Sequence, residues 1–206
     1  MLMIARHGQT IMNVARCVGG PIDSPLTPAG IACARLIGQR LAKLTDKPVL
    51  TEAKCSPSGR ALSTCELICE AMPWVHISVE PRIAAVDSGE FNGLPVERVA
   101  MLLARPLADI MSSHDWFFGA PGGETFDMVW DRCDSTLRDL PSGTNLLVTH
   151  GLPARFLRCI ARGLSRSDVL RLKHPQTTVS LLSGDIGSCE ERTISVAPDG
   201  IADALW

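Results

Sequence analysis

Residues 2–8, Leu-Met-Ile-Ala-Arg-His-Gly, decide the fold, because they form a short apolar run that ends in a polar turn. Residues 146–151, Leu-Leu-Val-Thr-His-Gly, repeat this pattern. Each run predicts a buried strand followed by a sharp turn. In an open α/β sheet, ligands bind beyond the carboxyl ends of the strands. The pattern therefore places His7 and His150, two of only five histidines, in a site for an anionic substrate, with Arg6 beside the first.

The composition is that of an ordinary soluble globular protein. The 206 residues suit a single domain, and 46% of them are hydrophobic and 20% charged. The net charge of -2 gives no reason to expect nucleic acid as a partner. Any attraction for an anion must therefore come from a local cluster of arginines.

The cysteines and the N-terminus indicate the cellular environment. None of the eight cysteines forms a Cys-x-x-Cys pair, which favours reduced structural thiols over a metal site. Arg6 interrupts the first apolar run before a signal-peptide core could form. No segment approaches the roughly 18 apolar residues of a membrane span. We therefore expect a cytoplasmic protein without a membrane partner, and the sequence makes no prediction of its oligomeric state.

Predicted strands and helices alternate along the chain. Thr27-Pro28 predicts a helix start, with Thr as the N-cap and Pro at the first helical position. The expected strands cover residues 2–6, 49–55, 75–79, 145–149, 177–183 and 192–196. The alternation predicts one α/β domain over residues 1–206, a three-layer sandwich whose mainly parallel sheet has helices on both faces. Residues 82–123 are less regular and predict an insertion on the substrate side.

Histidines and arginines together suit phosphate chemistry. A phosphate monoester carries up to two negative charges near neutral pH. Arginines bind its oxygens through forked hydrogen bonds. A neutral imidazole can attack phosphorus, and a second, protonated imidazole can stabilise charge on the equatorial oxygens. This scheme requires no cofactor and no metal.

The segment from Arg6 to Thr10, followed by Asn13, resembles the Arg-His-Gly-Glu-Thr-x-x-Asn signature of the histidine phosphatase superfamily. That superfamily also contains the cofactor-dependent phosphoglycerate mutases. Four further motifs resemble family landmarks and occur in the expected order, at residues 23–30, 56–61, 121–125 and 148–151. The resemblance covers most of residues 1–160.

The resemblance implies a phosphoglycerate mutase-like fold of branch 1 and a set of residue roles. His7 is then the nucleophile, forming a phosphohistidine that water hydrolyses. The groups expected around the phosphoryl group are Arg6, Arg60, His150, Asn13 and the backbone N–H of Gly151. The expected partner is a small phosphorylated substrate, and a phosphate or sulfate ion could occupy the same site.

One position departs from the family pattern. Relatives usually carry a glutamate that protonates the leaving oxygen, shortly before a segment that here is residues 89–93. The matching position is Ala85, which has no proton to donate. Three interpretations follow: Asp87 or Glu90 supplies the acid from a shifted position, the substrate leaves without help as in the phosphohistidine-phosphatase branch, or the chain binds phosphorylated ligands with weak turnover.

Hydrolysis of phosphate monoesters is the function that the sequence favours. Mutase activity fits less well, because the chain is shorter than typical mutases and lacks a match to their additional substrate-binding arginine segment. Within the irregular insertion, the aromatic cluster at residues 116–118 has two interpretations. It forms either an apolar wall over the phosphate pocket or a satellite core beneath a long loop.

Overall fold

A six-stranded sheet forms the centre of the computed structural model, which describes residues 1–44 and 50–196. The strand order is β3-β2-β4-β1-β5-β6. The strands are β1 (Leu2–Arg6), β2 (Glu52–Cys55), β3 (His76–Val79), β4 (Asn145–Thr149), β5 (Thr178–Ser183) and β6 (Glu190–Ser195). Strands β1 to β4 pair in parallel, whereas β5 and β6 are antiparallel. The predicted mainly parallel sheet is therefore confirmed, although Val49 of the predicted second strand lies outside the described residues.

Seven α-helices and four short 3-10 helices lie within the described residues. The α-helices are α1 (Ile11–Val14), α2 (Pro28–Ala42), α3 (Gly59–Cys69), α4 (Val96–Leu102), α5 (Leu107–Ser112), α6 (Phe126–Arg138) and α7 (Gly151–Ala161). Short 3-10 helices cover Pro81–Ile83, Gly89–Phe91, Asp115–Phe118 and Arg166–Arg171. The predicted cap of α2 is confirmed, because the Thr27 hydroxyl accepts a hydrogen bond from the Gly30 N–H.

Helices cover both faces of the sheet, as the sequence predicts. Met3 and Ala5 of β1 belong to one buried cluster with α2 and α3, whereas Leu2 and Ile4 belong to the opposite cluster with α6 and α7. Successive side chains of a strand point to opposite faces, so a strand between two helical layers is apolar throughout. The three-layer α/β architecture is thus confirmed.

The middle of the irregular insertion packs as a satellite layer, whereas Ile83 and Val86 near its start belong to the cluster with α6 and α7. Buried side chains from α4, α5 and the 3-10 helix at Asp115–Phe118 cluster around Val18 of the first long loop. Trp116 is buried there, with its ring centroid 6.4 Å from that of Phe91. The insertion therefore closes over the loop that follows β1.

Over the described ranges, every helix is too short or too polar to cross a lipid bilayer.

Candidate active site

The two histidine turns lie side by side because their strands are neighbours. Arg6 of β1 is in register with Thr149 of β4, and the His7 N–H donates to the Thr149 carbonyl oxygen at 2.8 Å. The rings of His7 and His150 lie next to each other at the ends of these strands, with their centroids 5.0 Å apart, and both are buried. The sequence prediction of a shared site at the carboxyl end of the sheet therefore agrees with the geometry.

The hydrogen bond of His7 selects its tautomer. Its Nδ1 lies 2.8 Å from the carbonyl oxygen of Gly8, and a carbonyl oxygen only accepts, so Nδ1 carries the proton. Burial, followed by the charges of Arg6 and Arg60, holds the pKa of His7 well below its usual value. The ring is therefore neutral near pH 7, and the lone pair is on Nε2. This is the form that a nucleophilic imidazole requires.

His150 is the N-cap of α7, and both of its ring nitrogens have hydrogen-bond partners. Its Nε2 lies 2.7 Å from the Ser56 hydroxyl, and its Nδ1 lies 3.4 Å from Nη2 of Arg60. Because a guanidinium only donates, Nδ1 is the acceptor and Nε2–H donates to Ser56. Burial, then the neighbouring His7, lowers the pKa of His150. A bound phosphate dianion would raise the pKa of His150, since a nearby negative charge favours the imidazolium.

Arg60 is buried in the site rather than exposed at a helix start. Its Nη1 donates to the carbonyl oxygen of Ile22 at 2.7 Å and to the Asp23 carboxylate at 3.2 Å, and its Nη2 donates to the carbonyl oxygen of Gly20 at 2.8 Å. These acceptors anchor the guanidinium to the first long loop. The positive charge is thereby fixed beside His150.

The other predicted phosphate ligands line the same cavity. The Asn13 Oδ1 accepts from the Thr10 N–H at 3.0 Å and from Nε2 of Gln176 at 2.8 Å, so its Nδ2 is the donor presented to a ligand. Gly151 is the first residue of α7, where backbone N–H groups and the helix dipole favour an anion. The Cα of Gly151 lies beside Arg6, since a Cβ there would be in van der Waals contact with the guanidinium carbon at 3.4 Å.

The candidate acids do not reach the cavity. Ala85 lines it, whereas Asp87 and Glu90 do not. Asp87 Oδ1 instead accepts from the Gly89 N–H at 2.8 Å and from Nδ2 of Asn92 at 2.6 Å, within its own loop. Of the residues that the structure describes, none with a carboxyl side chain lines the cavity. The geometry therefore does not support the expectation that Asp87 or Glu90 donates the leaving-group proton.

Glu124, in the motif at residues 121–125, holds the Ala85 loop in place. Its Oε2 accepts from the Asp87 N–H at 2.9 Å, and its Oε1 accepts from Nε of Arg132 at 2.8 Å. The backbones approach closely here: a Cβ at Gly89 would lie 2.0 Å from the Pro121 carbonyl oxygen. These contacts fix which residues of the loop face the cavity.

Sequence reasoning missed two polar groups in the cavity wall, Arg155 of α7 and His114 of the insertion. The available signal was an arginine within the apolar run Leu152–Leu157, where a solvated charge is not expected. Trp116 and Phe117 also line the cavity, while Trp116 is buried in the satellite layer. Both interpretations therefore hold for Trp116, whereas Phe118 packs against the buried cluster of α6 and α7.

The model of the histidine phosphatase superfamily (branch 1) matches residues 2–196, nearly the whole chain. This protein belongs to that superfamily. Among its relatives, the probable phosphoglycerate mutase GpmB of Yersinia pestis (strain Pestoides F) is 28% identical over 176 residues, which are 82% of this chain and 78% of that protein.

Solved structures share the fold over almost their full length. Bacillus stearothermophilus YhfR superposes with a TM-score of 0.77 at 25% identity, covering 100% of this chain and 98% of the other. The mycobacterial glucosyl-3-phosphoglycerate phosphatase Rv2419c, solved with VO3, superposes with a TM-score of 0.74 at 22% identity, covering 93% and 96%. The histidine phosphatase fold expected from the sequence is therefore confirmed.

Proposed function

We propose that this histidine phosphatase hydrolyses phosphate monoesters through a phosphohistidine on His7. The observation that carries the proposal is the state of His7, a buried neutral ring whose Nδ1 is bonded to Gly8 and whose Nε2 is left as the nucleophile. Supporting it are Arg6, Arg60 and His150, which line the same cavity. The phosphatase named among the structural relatives is consistent with this chemistry.

In the first step, Nε2 of His7 attacks phosphorus, the N–P bond forms, and the bond to the ester oxygen breaks with its electron pair on the leaving group. The positive charges of Arg6 and Arg60 offset the charge on the equatorial oxygens. In the second step, water attacks phosphorus, the N–P bond breaks, and inorganic phosphate and neutral His7 are released. Asn13 and the N-terminus of α7 would hold the phosphoryl oxygens throughout.

We further propose that the ester oxygen leaves without a proton from a carboxyl group, since Ala85 occupies the family's acid position and no described carboxyl side chain lines the cavity. A phenolate, whose conjugate acid has a pKa of about 10, leaves more readily than an alkoxide. Substrates with good leaving groups are therefore favoured over simple alkyl phosphates.

The first test is hydrolysis of 4-nitrophenyl phosphate by the wild type and by His7→Ala, with His76→Ala on the exposed β3 as the control. We expect His7→Ala to lower kcat by at least about 10³-fold, because the covalent route is lost. Denaturing quench of the wild type during turnover of labelled substrate should trap an acid-labile phosphoenzyme that His7→Ala lacks.

Two results would contradict the proposal. Equal activity in the wild type and His7→Ala would exclude His7 as the nucleophile. Retention of the phosphoryl group until a second phosphorylated acid is added, with little inorganic phosphate released, would instead indicate the mutase activity suggested by the name of the Yersinia pestis relative.

A further inference from the structure

The cavity contains a cation that the proposed chemistry does not use. Arg155 lies on α7, is 7% exposed, and lines the same cavity as His7. The Nε and Nη1 of this guanidinium have no hydrogen-bond partner among the described residues, and Nη2 lies 3.3 Å from Nε2 of His114. Burying a charge without a counter-charge costs several kcal/mol.

Neighbouring residues do not compensate this charge. Arg158, one turn further along α7, is paired with Glu191 and adds only repulsion at Arg155. Burial, followed by Arg158, lowers the pKa of Arg155 to about 10, so the side chain remains charged near pH 7. Within residues 1–44 and 50–196, no carboxylate therefore compensates this charge.

His114 contributes a second donor beside Arg155. Because the Arg155 guanidinium only donates, Nε2 of His114 is an acceptor and the ring proton is on Nδ1. Burial and the charge of Arg155 lower the pKa of His114 to about 4, which keeps the ring neutral. The Nδ1–H is buried and also has no partner among the described residues. Together the two side chains form a cluster of unused donors.

Charge in the cavity indicates the kind of ligand. Arg6, Arg60 and Arg155 line it, and no described carboxyl side chain does. Arg6 and Arg60 are the two guanidiniums proposed to bind the phosphoryl group, and Arg60 is already paired with Asp23 at 3.2 Å. The third guanidinium remains on the part of the wall formed by α7 and the insertion, where the non-phosphate portion of a substrate would lie.

We propose that Arg155 and His114 form a second anion subsite, so that the substrate is a phosphate monoester carrying a further ionised group, a carboxylate or a second phosphate. This inference rests on the proposed phosphatase function, because it assigns the other end of the same substrate. Arg155 is then a specificity-determining residue, and its planar fork suits either anion.

Matched aryl esters test the subsite because all of them release a phenolate, so the need to protonate the leaving group stays the same. We would compare kcat/KM for 3- and 4-carboxyphenyl phosphate with that for the neutral carbamoylphenyl phosphates of the same shape, and use 1,3-phenylene bisphosphate to test a second phosphate. The wild type should prefer the better-placed anion about 10- to 100-fold, as expected for hydrogen bonds to a charged group. Arg155→Met should abolish that preference and leave the carbamoyl esters within about 3-fold, since they do not use the charge.

Controls separate a subsite from a structural role. Arg166→Met removes a half-exposed arginine paired with Asp127 and should leave the preference intact. Arg155→Met should leave the Tm unchanged or higher, because it removes an uncompensated buried charge. A lower Tm with an equal loss of activity on every ester would identify a structural residue and overturn the proposal. If Arg155→Met does not fold, Arg155→Lys should retain a weaker preference, since it keeps the charge without the fork.

Binding measurements distinguish failure of this proposal from failure of the phosphatase proposal. Titration calorimetry with 3- and 4-carboxyphenylphosphonate and the neutral carbamoyl analogues needs no turnover. Tighter binding of a carboxy analogue to the wild type, lost in Arg155→Met, would support the subsite even if no ester is hydrolysed. Hydrolysis with equal preference for charged and neutral esters would overturn the subsite and leave the phosphatase proposal standing.

Discussion

At the scale of single residues, Ala85 is the position at which the proposed preference for good leaving groups can be tested. It lines the cavity at the position that the family resemblance assigns to an acid. The carboxyl nearest to it in the sequence, that of Asp87, accepts hydrogen bonds within its own loop. General acid catalysis typically contributes about 10²–10⁴-fold for a poor leaving group. The penalty for lacking it therefore depends on the ester.

Ala85→Glu should broaden the substrate range. We expect kcat/KM for glycerol 2-phosphate to rise about 10²-fold, because its alkoxide gains a proton donor, and that for 4-nitrophenyl phosphate to change by less than about 3-fold. Steady-state release of inorganic phosphate measures both.

The matched control is Ala85→Gln, which has nearly the size of glutamate without a transferable proton. If Ala85→Gln raises glycerol 2-phosphate hydrolysis as much as Ala85→Glu does, the gain comes from shape, and the acid interpretation of this position is wrong.

At the scale of elements, the start of α2 packs against the turn that follows His7. A Cβ at Gly30 would lie 2.3 Å from the carbonyl oxygen of Gln9, and the Thr27 N–H donates to that same oxygen. In the middle of α2, a Cβ at Gly38 would lie 2.3 Å from the carbonyl oxygen of Ile68 in α3. Both glycines permit close backbone contact, but only Gly30 contacts the turn after His7.

Gly30→Ala and Gly38→Ala should therefore lower the stability of the protein to a similar extent but differ in their effect on activity. Overpacking should cost each about 1–3 kcal/mol, and the gain of about 1 kcal/mol in helix propensity offsets part of it, so the free energy of unfolding should fall by up to about 2 kcal/mol. Only Gly30→Ala should also lower kcat, by about 10-fold or more, since displacing the turn misplaces the nucleophile.

Urea unfolding followed by tryptophan fluorescence, beside steady-state kinetics, measures both effects. A loss of kcat in Gly38→Ala as large as that in Gly30→Ala would show that the activity responds to stability alone.

At the scale of the whole molecule, four histidines should make the free energy of unfolding depend on pH. Burial is the largest cause lowering the pKa of His7, His114, His150 and His174. Folding keeps them neutral, whereas the unfolded chain binds protons near the ordinary histidine pKa of about 6.5. The unfolded state thus binds more protons below this pH, so the free energy of unfolding falls as pH falls.

We expect acid destabilisation to begin below about pH 6.5, before carboxylates such as Glu80 and Glu191, whose pKa values are lowered, begin to protonate. Each histidine adds up to about 1.4 kcal/mol per pH unit to the slope. Urea unfolding between pH 7.5 and 5.0 measures it.

His174→Phe should reduce this slope by about one proton, because both ring nitrogens of His174 are buried without a partner among the described residues. His76→Phe, at the exposed β3 position, is the control. An unchanged slope in His174→Phe would mean that this histidine binds a proton equally well in the folded and the unfolded protein.

The sequence by itself determined the sheet and the pairing of the two candidate catalytic histidines. Two apolar runs that end in His-Gly are local patterns, and parallel strands bring their carboxyl ends to one edge, so His7 and His150 could be placed together before the structure was known. The cap at Thr27 was equally local, because a hydroxyl bonds an N–H three residues away. Features of this kind depend on spacing along the chain.

Only the tertiary structure decided what fills the rest of the cavity. The sequence offered Asp87 and Glu90 as acids, and folding turned Asp87 into its own loop and left Ala85 in the wall. Sequence analysis assigned no role to Arg155. The lack of a carboxylate beside it depends on how α7 and the insertion pack together and on the pairing of Glu191 with Arg158. The charge and hydrogen bonding of a buried side chain depend on neighbours distant in sequence, and no local pattern encodes them.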